Sequence, residues 1–153
     1  MYVIAPWIFL VFYLPASAEI LEVFVYKVVD GDTFHFRDQN RVYRIRLSEF
    51  DTPKMNQPWG IEARSALVSK VSNVLLKVNV VDTDRYGRKV AKVWFGRQYI
   101  NRELVREGHA WVYERYLSDK TLLLDQAKAK EEAIGLWQVS DPIPPWQWRM
   151  SRW

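Results

Sequence analysis

Asp30 and Asp32 flank Gly31 in a turn between two strand-like stretches, and another carboxylate, Asp51, closes the adjoining strand. Adjacent strands of a meander can bring their ends within a few ångströms. Two carboxylates that meet there repel unless a hard cation joins them. Oxygen ligands with no Cys or His point to Ca²⁺ or Mg²⁺ rather than zinc. Two carboxylates and a backbone carbonyl make a sparse cage, so water and a substrate phosphate must complete it. Asp30 reads equally well as ordinary turn chemistry. Asp32, as a turn carboxylate, is expected to carry little packing, so that its removal should spare the fold.

The cations come next. Arg41, Arg44 and Arg46 lie on one strand, with Arg44 and Arg46 on the same face between apolar Ile45 and Leu47. Arg88 closes a polar loop, Asp84-Arg85-Tyr86-Gly87-Arg88. A guanidinium is always charged and forks onto phosphate oxygens. Two such groups facing a metal would stabilise the extra charge of a phosphorane-like transition state. A solvated barrel face is the competing reading for Arg41 and Arg44. Tyr86 and Trp111 could stack on a base or sugar, although core packing is the commoner fate of such rings.

The bulk numbers permit this chemistry without demanding it. The chain of 153 residues suits one domain with a single core. Its 22 Lys plus Arg against 18 Asp plus Glu leave a net charge of +4, compatible with a polyanionic partner. The absence of cysteine excludes a disulfide framework and a thiolate metal site. Residues 3 to 14, VIAPWIFLVFYL, are almost wholly apolar and are followed by Ala16-Ser17-Ala18. That pattern predicts a secretory signal over residues 1–18, cleaved before Glu19. It lacks a Lys or Arg ahead of the apolar run, so an uncleaved membrane anchor is the alternative. A secreted or periplasmic monomer is expected.

Elements that could position these residues follow from periodicity. Residues 20 to 29, 33 to 37 and 42 to 50 read as three strands, and 51 to 60 as a loop. Residues 61 to 73 have a helical period, with Ala63, Leu67 and Val71 on one face. Residues 75 to 82 and 89 to 95 read as a hairpin around the Asp84–Arg88 loop. Residues 100 to 107 and 118 to 134 read as helices, closed by Gly108 and Gly135 and the latter capped by Ser118 or Asp119. The domain is expected to span residues 19–139. A tail over 140–153, with three prolines and three tryptophans, is expected to pack over it as an irregular arm. Five strands with an inserted helix, then two more helices, give an α+β fold consistent with a five-stranded OB-fold barrel.

Five ordered blocks carry a resemblance. They are Val-Asp-Gly-Asp-Thr (29–33), Arg-Leu-Ser-Glu-Phe-Asp-Thr-Pro (46–53), Asp-Arg-Tyr-Gly-Arg (84–88), Leu-Val-Arg-Glu-Gly-His-Ala-Trp-Val-Tyr (104–113) and Gly-Leu-Trp (135–137). Together with Trp-Gly-Ile-Glu-Ala at the first helix, they resemble the staphylococcal nuclease family over nearly all of residues 20 to 149. The Pro-Trp-x-Trp-Arg ending resembles its bacterial members. The resemblance implies an OB-fold barrel with three helices, and calcium-dependent cleavage of single-stranded DNA and RNA. It implies that Asp32 and Asp51 ligate Ca²⁺ with the Thr52 carbonyl, and that Arg46 and Arg88 grip the scissile phosphate. Arg85, Tyr86, Trp111 and Tyr113 would lie along the nucleotide groove.

One position departs from the family. A glutamate assigned to activating the attacking water is expected after Thr52-Pro53, and Lys54 stands there. A protonated lysine cannot accept that proton, and losing a general base typically costs about 10²–10⁴ in rate. Glu49 and Glu62 are conceivable substitutes. The alternative function is a catalytically impaired nucleic-acid- or protein-binding module on the same fold. The retained Asp32, Asp51, Arg46 and Arg88 favour the enzyme.

Overall fold

A computed structural model of the chain describes residues 18–151. The predicted signal, residues 1–18, lies outside that range except for its last residue. Nine strands and four α-helices follow in order. The strands are β1 (Glu19–Val23), β2 (Val25–Val28), β3 (Thr33–Asp38), β4 (Arg41–Leu47), β5 (Phe50–Asp51), β6 (Leu76–Thr83), β7 (Lys89–Phe95), β8 (Gln98–Tyr99) and β9 (Trp111–Val112). The helices are α1 (Gly60–Val71), α2 (Ile100–Arg106), α3 (Thr121–Glu131) and α4 (Pro145–Met150).

The main sheet runs β1-β6-β7-β4-β3-β2, with β4 and β7 parallel and the other pairs antiparallel. Phe24 alone separates β1 from β2. The two edges of the sheet are therefore halves of one bent strand, and the sheet curls into the five-stranded barrel of an OB-fold. The predicted strand over 20 to 29 is this bent strand. It breaks at Phe24 because its first half pairs β6 and its second half pairs β3.

Alternation fills the barrel. Phe34 and Phe36, Ile45 and Leu47, Leu76 and Val78, and Ala91 and Val93 all point inward and are buried. Each aliphatic or aromatic side chain withdrawn in this way stabilises the fold by about 1.5–3 kcal/mol. Helix α1 adds Ala63, Leu67 and Val71, the face read from its period. Helix α2 adds Ile100, Leu104 and Val105.

The predicted strand over 42 to 50 ends early. The chain leaves β4 at Ser48 and turns through Glu49 at φ 75, a left-handed conformation. It then re-forms as β5, which pairs with β9 instead of the barrel. Asn101, wholly buried on α2, holds this departure. Its amide donates to the Ser48 and Ala91 carbonyls at 3.3 and 3.2 Å, and its side-chain carbonyl accepts from Val93 N–H at 2.9 Å. The last predicted helix is shorter than expected, Thr121–Glu131, with Asp119 accepting from Thr121 N–H at 3.0 Å at its start. The tail departs most from expectation. It carries α4, which Pro145 can begin because the first helical N–H needs no partner.

Gly108 and Gly135 meet back to back. Leu136 N–H donates to the Gly108 carbonyl at 2.7 Å, and a Cβ on Gly135 would lie 2.1 Å from that same oxygen. Gly135 also has φ +60. The pair seals α3 against the strand leading to Trp111, so two of the sequence blocks serve architecture. Gly135→Ala should therefore cost at least about 2 kcal/mol through left-handed strain and the clash together. Thermal unfolding should show Tm lower by about 5 °C or more.

Candidate functional site

The Asp30–Asp32 turn sits between β2 and β3. Asp30 Oδ1 accepts from Asp32 N–H at 3.1 Å, the turn chemistry expected of it. Gly31 is required by close approach: a Cβ there would stand 2.8 Å from Ala63 Cβ and Thr52 Oγ1. The turn is thus pressed between α1 and the segment after β5, and Asp32 faces inward at 1% exposure.

Asp32 is consequently no ordinary turn carboxylate. Its Oδ2 accepts from the Thr52 N–H and the Thr52 hydroxyl, each at 2.9 Å. Its Oδ1 accepts from Thr33 Oγ1 at 2.9 Å and faces Arg46 Nε at 3.3 Å. Lys54 Nζ lies 3.8 Å from Oδ2. Burial pushes its pKa upward, but Arg46, Lys54 and the Thr52 donors outweigh burial and hold it well below the usual range. The expectation that Asp32 carries little packing is corrected here: removing it would leave buried cations and donors without their acceptor.

Asp51 meets the same cations. Its Oδ1 accepts from Arg46 Nη2 at 3.2 Å and from Lys54 Nζ at 2.9 Å. Its Oδ2 accepts from Arg149 Nη1 at 2.9 Å. Arg46 is fixed in turn by donating to the Leu47 carbonyl and to the Phe50 carbonyl, the latter at 2.8 Å. The two carboxylates predicted to converge do converge, on a shared pair of cations. Asp30 is carried up to about 6 by burial first and by the neighbouring Asp32 charge second.

These donors match calcium in kind: they are anionic oxygens, with no thiolate or imidazole among them. Among the described residues no three His, Cys, Asp or Glu side chains gather into a metal-binding group, so two carboxylates carry the charge. Calcium would compete with Lys54 for that pair. Thr52 contacts Asp32 through its amide and hydroxyl.

The remaining predicted residues fall in two groups. Arg88, Arg85 and Tyr86 occupy the hairpin loop between β6 and β7. Asp84 organises it, accepting from the Tyr86 and Arg88 N–H groups at 2.9 and 3.0 Å and from Arg88 Nε at 2.7 Å. Arg85 Nη2 donates to the Tyr86 hydroxyl at 2.8 Å, and Arg44 donates to the Tyr86 carbonyl. The loop therefore presents arginines around an exposed tyrosine ring. Trp111 and Tyr113 lie across the site on and beside β9, where Asp51 pairs with Trp111. Trp111 packs edge-on against Trp137 with centroids 4.4 Å apart, and Lys130 Nζ stands 5.2 Å from its ring.

Of the two substitute bases, Glu49 is held by backbone and hydroxyl donors of another segment. Glu49 Oε1 accepts from Ser118 N–H at 2.7 Å, Asp119 N–H at 3.0 Å and the Ser118 hydroxyl. Burial pushes the Glu49 pKa up, but these donors outweigh it and the net shift is downward. That carboxylate ties down the segment entering α3. Glu62 is exposed on α1. His109 is likewise structural: its Nδ1 accepts from the Trp59 indole N–H at 3.0 Å, and burial lowers its pKa. Sequence reasoning missed Arg149. The Pro-Trp-x-Trp-Arg block was its only signal, and nothing in the spacing says which residue the tail returns to.

Comparison with known proteins agrees with the geometry. The family model described as staphylococcal nuclease homologue matches residues 44–139. The chain is 35% identical over 145 residues to a protein of Escherichia coli O157:H7 named uncharacterized endonuclease, covering 94% of this chain and 95% of that one. It is 36% identical over 126 residues to an uncharacterized endonuclease of Haemophilus influenzae, covering 82% and 71%. It is 36% identical over 110 residues to the staphylococcal-like nuclease CAN1 of Arabidopsis thaliana, covering 72% of this chain and 34% of that one.

The Glu49 contacts separate structure from catalysis. Glu49→Gln should cost about 2 kcal/mol, the worth of hydrogen bonds to a charged acceptor, seen as a lower urea midpoint. The rate per folded molecule should stay within about twofold, since general bases are worth far more. The sign with pH follows from the lowered pKa. The Glu49 contribution is present above the unfolded value of 4.5 and is lost as pH falls through its lower folded value. A urea-midpoint series from pH 6 to 3 should show the gap between wild type and variant closing.

Proposed function

This chain is a member of the staphylococcal nuclease family and a nuclease, and we propose that it cuts the phosphodiester bonds of single-stranded DNA or RNA with calcium bound at Asp32 and Asp51. The observation that carries this reading is the convergence of both carboxylates on Arg46, at 3.3 and 3.2 Å. A guanidinium held that close to a metal-type carboxylate pair is placed to take the oxygens of a phosphate brought to the same point.

Calcium, when bound, would supply a Lewis-acidic centre for the phosphate and an acidified water. The chain's own groups do the rest. Arg46 turns part of its fork to the carboxylates and orients the phosphate beside them. Arg88, aimed by its Nε contact with Asp84, approaches from the β6–β7 hairpin. Tyr86 and Arg85 flank the strand on that side, with Tyr113 and Trp111 on the other. Thr52 keeps Asp32 oriented through two hydrogen bonds, and its carbonyl is the third ligand in this reading. Lys54 cannot accept a proton while charged, so water is deprotonated without a dedicated carboxylate and the enzyme is slow.

The rival, a binding module without catalysis, draws on the same Lys54 contacts. Cleavage of denatured DNA and of RNA by the purified protein, in calcium and then in excess chelator, decides between them. Cleavage is expected in calcium and its loss in chelator, and Asp51→Asn should cut the calcium-dependent rate at least about 10²-fold. Equal rates in chelator would overturn the calcium assignment. Export belongs to the same proposal: residues 1–18 act as a signal for a secreted or periplasmic protein, and mass spectrometry of the native protein should find Glu19 at its start.

Lys54 gives a prediction independent of turnover. Lys54→Glu sets a third carboxylate against Asp32 and Asp51 in place of their shared ammonium. In chelator the variant should be less stable than wild type by about 2–3 kcal/mol, the cost of unpaired buried charge. Calcium should restore that loss, because a ligand that binds only the folded state stabilises it. Melting curves across a calcium titration should show a steeper rise in Tm for the variant than for wild type.

A further inference from the structure

The C-terminal tail reaches the site. Helix α4 is seated by contacts that do not involve its arginine. Pro145 is buried, and Trp146 packs edge-on against Tyr113 and Trp111 with centroids 5.3 and 6.0 Å apart. Gln57 Nε2 donates to the Ile143 carbonyl at 2.6 Å, and Trp148 Nε1 donates to Asn56 Oδ1 at 3.2 Å. The Arg149–Asp51 pair joins a half-exposed arginine to a buried carboxylate at one end of the helix. What the pair does is fix a guanidinium at the mouth of the carboxylate pair.

The carboxylates it joins already have cation partners. Asp32 and Asp51 face Arg46 and Lys54, with Asp30 beside Asp32. Arg149 brings a third cation, and it engages the other oxygen of Asp51, Oδ2. Its side chain remains 50% exposed. A guanidinium has five N–H donors and a planar fork suited to phosphate. Trp146, three residues earlier on the same helix, is partly exposed and is of the residue type on which bases stack. A guanidinium that holds a site carboxylate while half its side chain stays open to water is placed to meet a nucleotide phosphate as well.

We propose that Arg149, carried in by α4, is a phosphate-binding residue of the nuclease site, and that the tail forms one wall of the nucleotide groove with Trp146. This rests on the nucleic-acid reading above. Arg149 would contact a backbone phosphate next to Asp51, and Trp146 would face the adjoining base or sugar.

The probe is a labelled single-stranded oligothymidylate in excess chelator, so that binding is read without cleavage, by fluorescence anisotropy across a salt series. The full chain is compared with Arg149→Ala and Arg149→Lys, each checked for a wild-type melting curve. Each phosphate neutralised on a single strand contributes about −0.7 to the slope of log K against log salt. Arg149→Ala should bind about five- to tenfold more weakly at low salt and lose about 0.7 of that slope. Arg149→Lys should keep the slope, because the charge remains, and bind with intermediate affinity. Identical slopes in all three proteins would overturn the proposal. Tighter binding by Arg149→Ala would also overturn it, by showing that the arginine blocks the groove. No binding by any of the three would overturn the nucleic-acid reading together with it, whereas binding with equal slopes removes only the role given to Arg149.

Discussion

A carboxylate taken out of water must be matched by donors and cations, and Asp32 is matched from several directions at once. Thr33 comes from its own strand, Thr52 from the segment after β5, Arg46 from β4 and Lys54 from the loop before α1. Thr52 and Lys54 share the one loop between β5 and α1, so these groups come from three pieces of chain. The departure of β5 from the barrel, the left-handed turn at Glu49 and the close approach at Gly31 bring those pieces to one point. A buried charge with a single partner would be a liability. One with this many fixes the geometry of everything around it.

That constraint explains why the site is so basic. Asp32 and Asp51 share Arg46 and Lys54, and Arg149 is added from the far end of the chain. Here an ammonium lies at 2.9 Å from one carboxylate and 3.8 Å from the other, so the pair is neutralised from within. Lys54 and Arg46 thus occupy the carboxylate oxygens that the proposed calcium would need.

Several residues of the shared sequence blocks hold the fold. Glu49 satisfies the backbone ahead of α3, His109 accepts from the Trp59 indole, and Gly108 and Gly135 allow two turns to touch. These positions lie within or beside the sequence blocks that carry the family resemblance. A block can persist as a unit because some of its residues react while their neighbours position them.

The barrel and three of its helices were legible in the sequence, since alternation at period two and the Ala63, Leu67, Val71 face report burial directly. The oxygen-only character of the site and the two carboxylates were legible as well, from residue types alone. Legibility ended where the answer depended on contacts between distant segments. The break at Phe24 exists because two different strands claim the two halves of one strand. The roles of Glu49 and of Lys54 were set by which donors and acceptors arrived beside them. The tail read as an irregular arm because nothing local says that a short run of prolines and tryptophans will form a helix and dock on β9. The sequence by itself determined which chemistry was available, through periodicity and the fixed charges of Asp, Arg and Lys. Only the tertiary structure decided that Arg149 stands on Asp51, 98 residues away along the chain, because that contact depends on the packing of the whole domain between them.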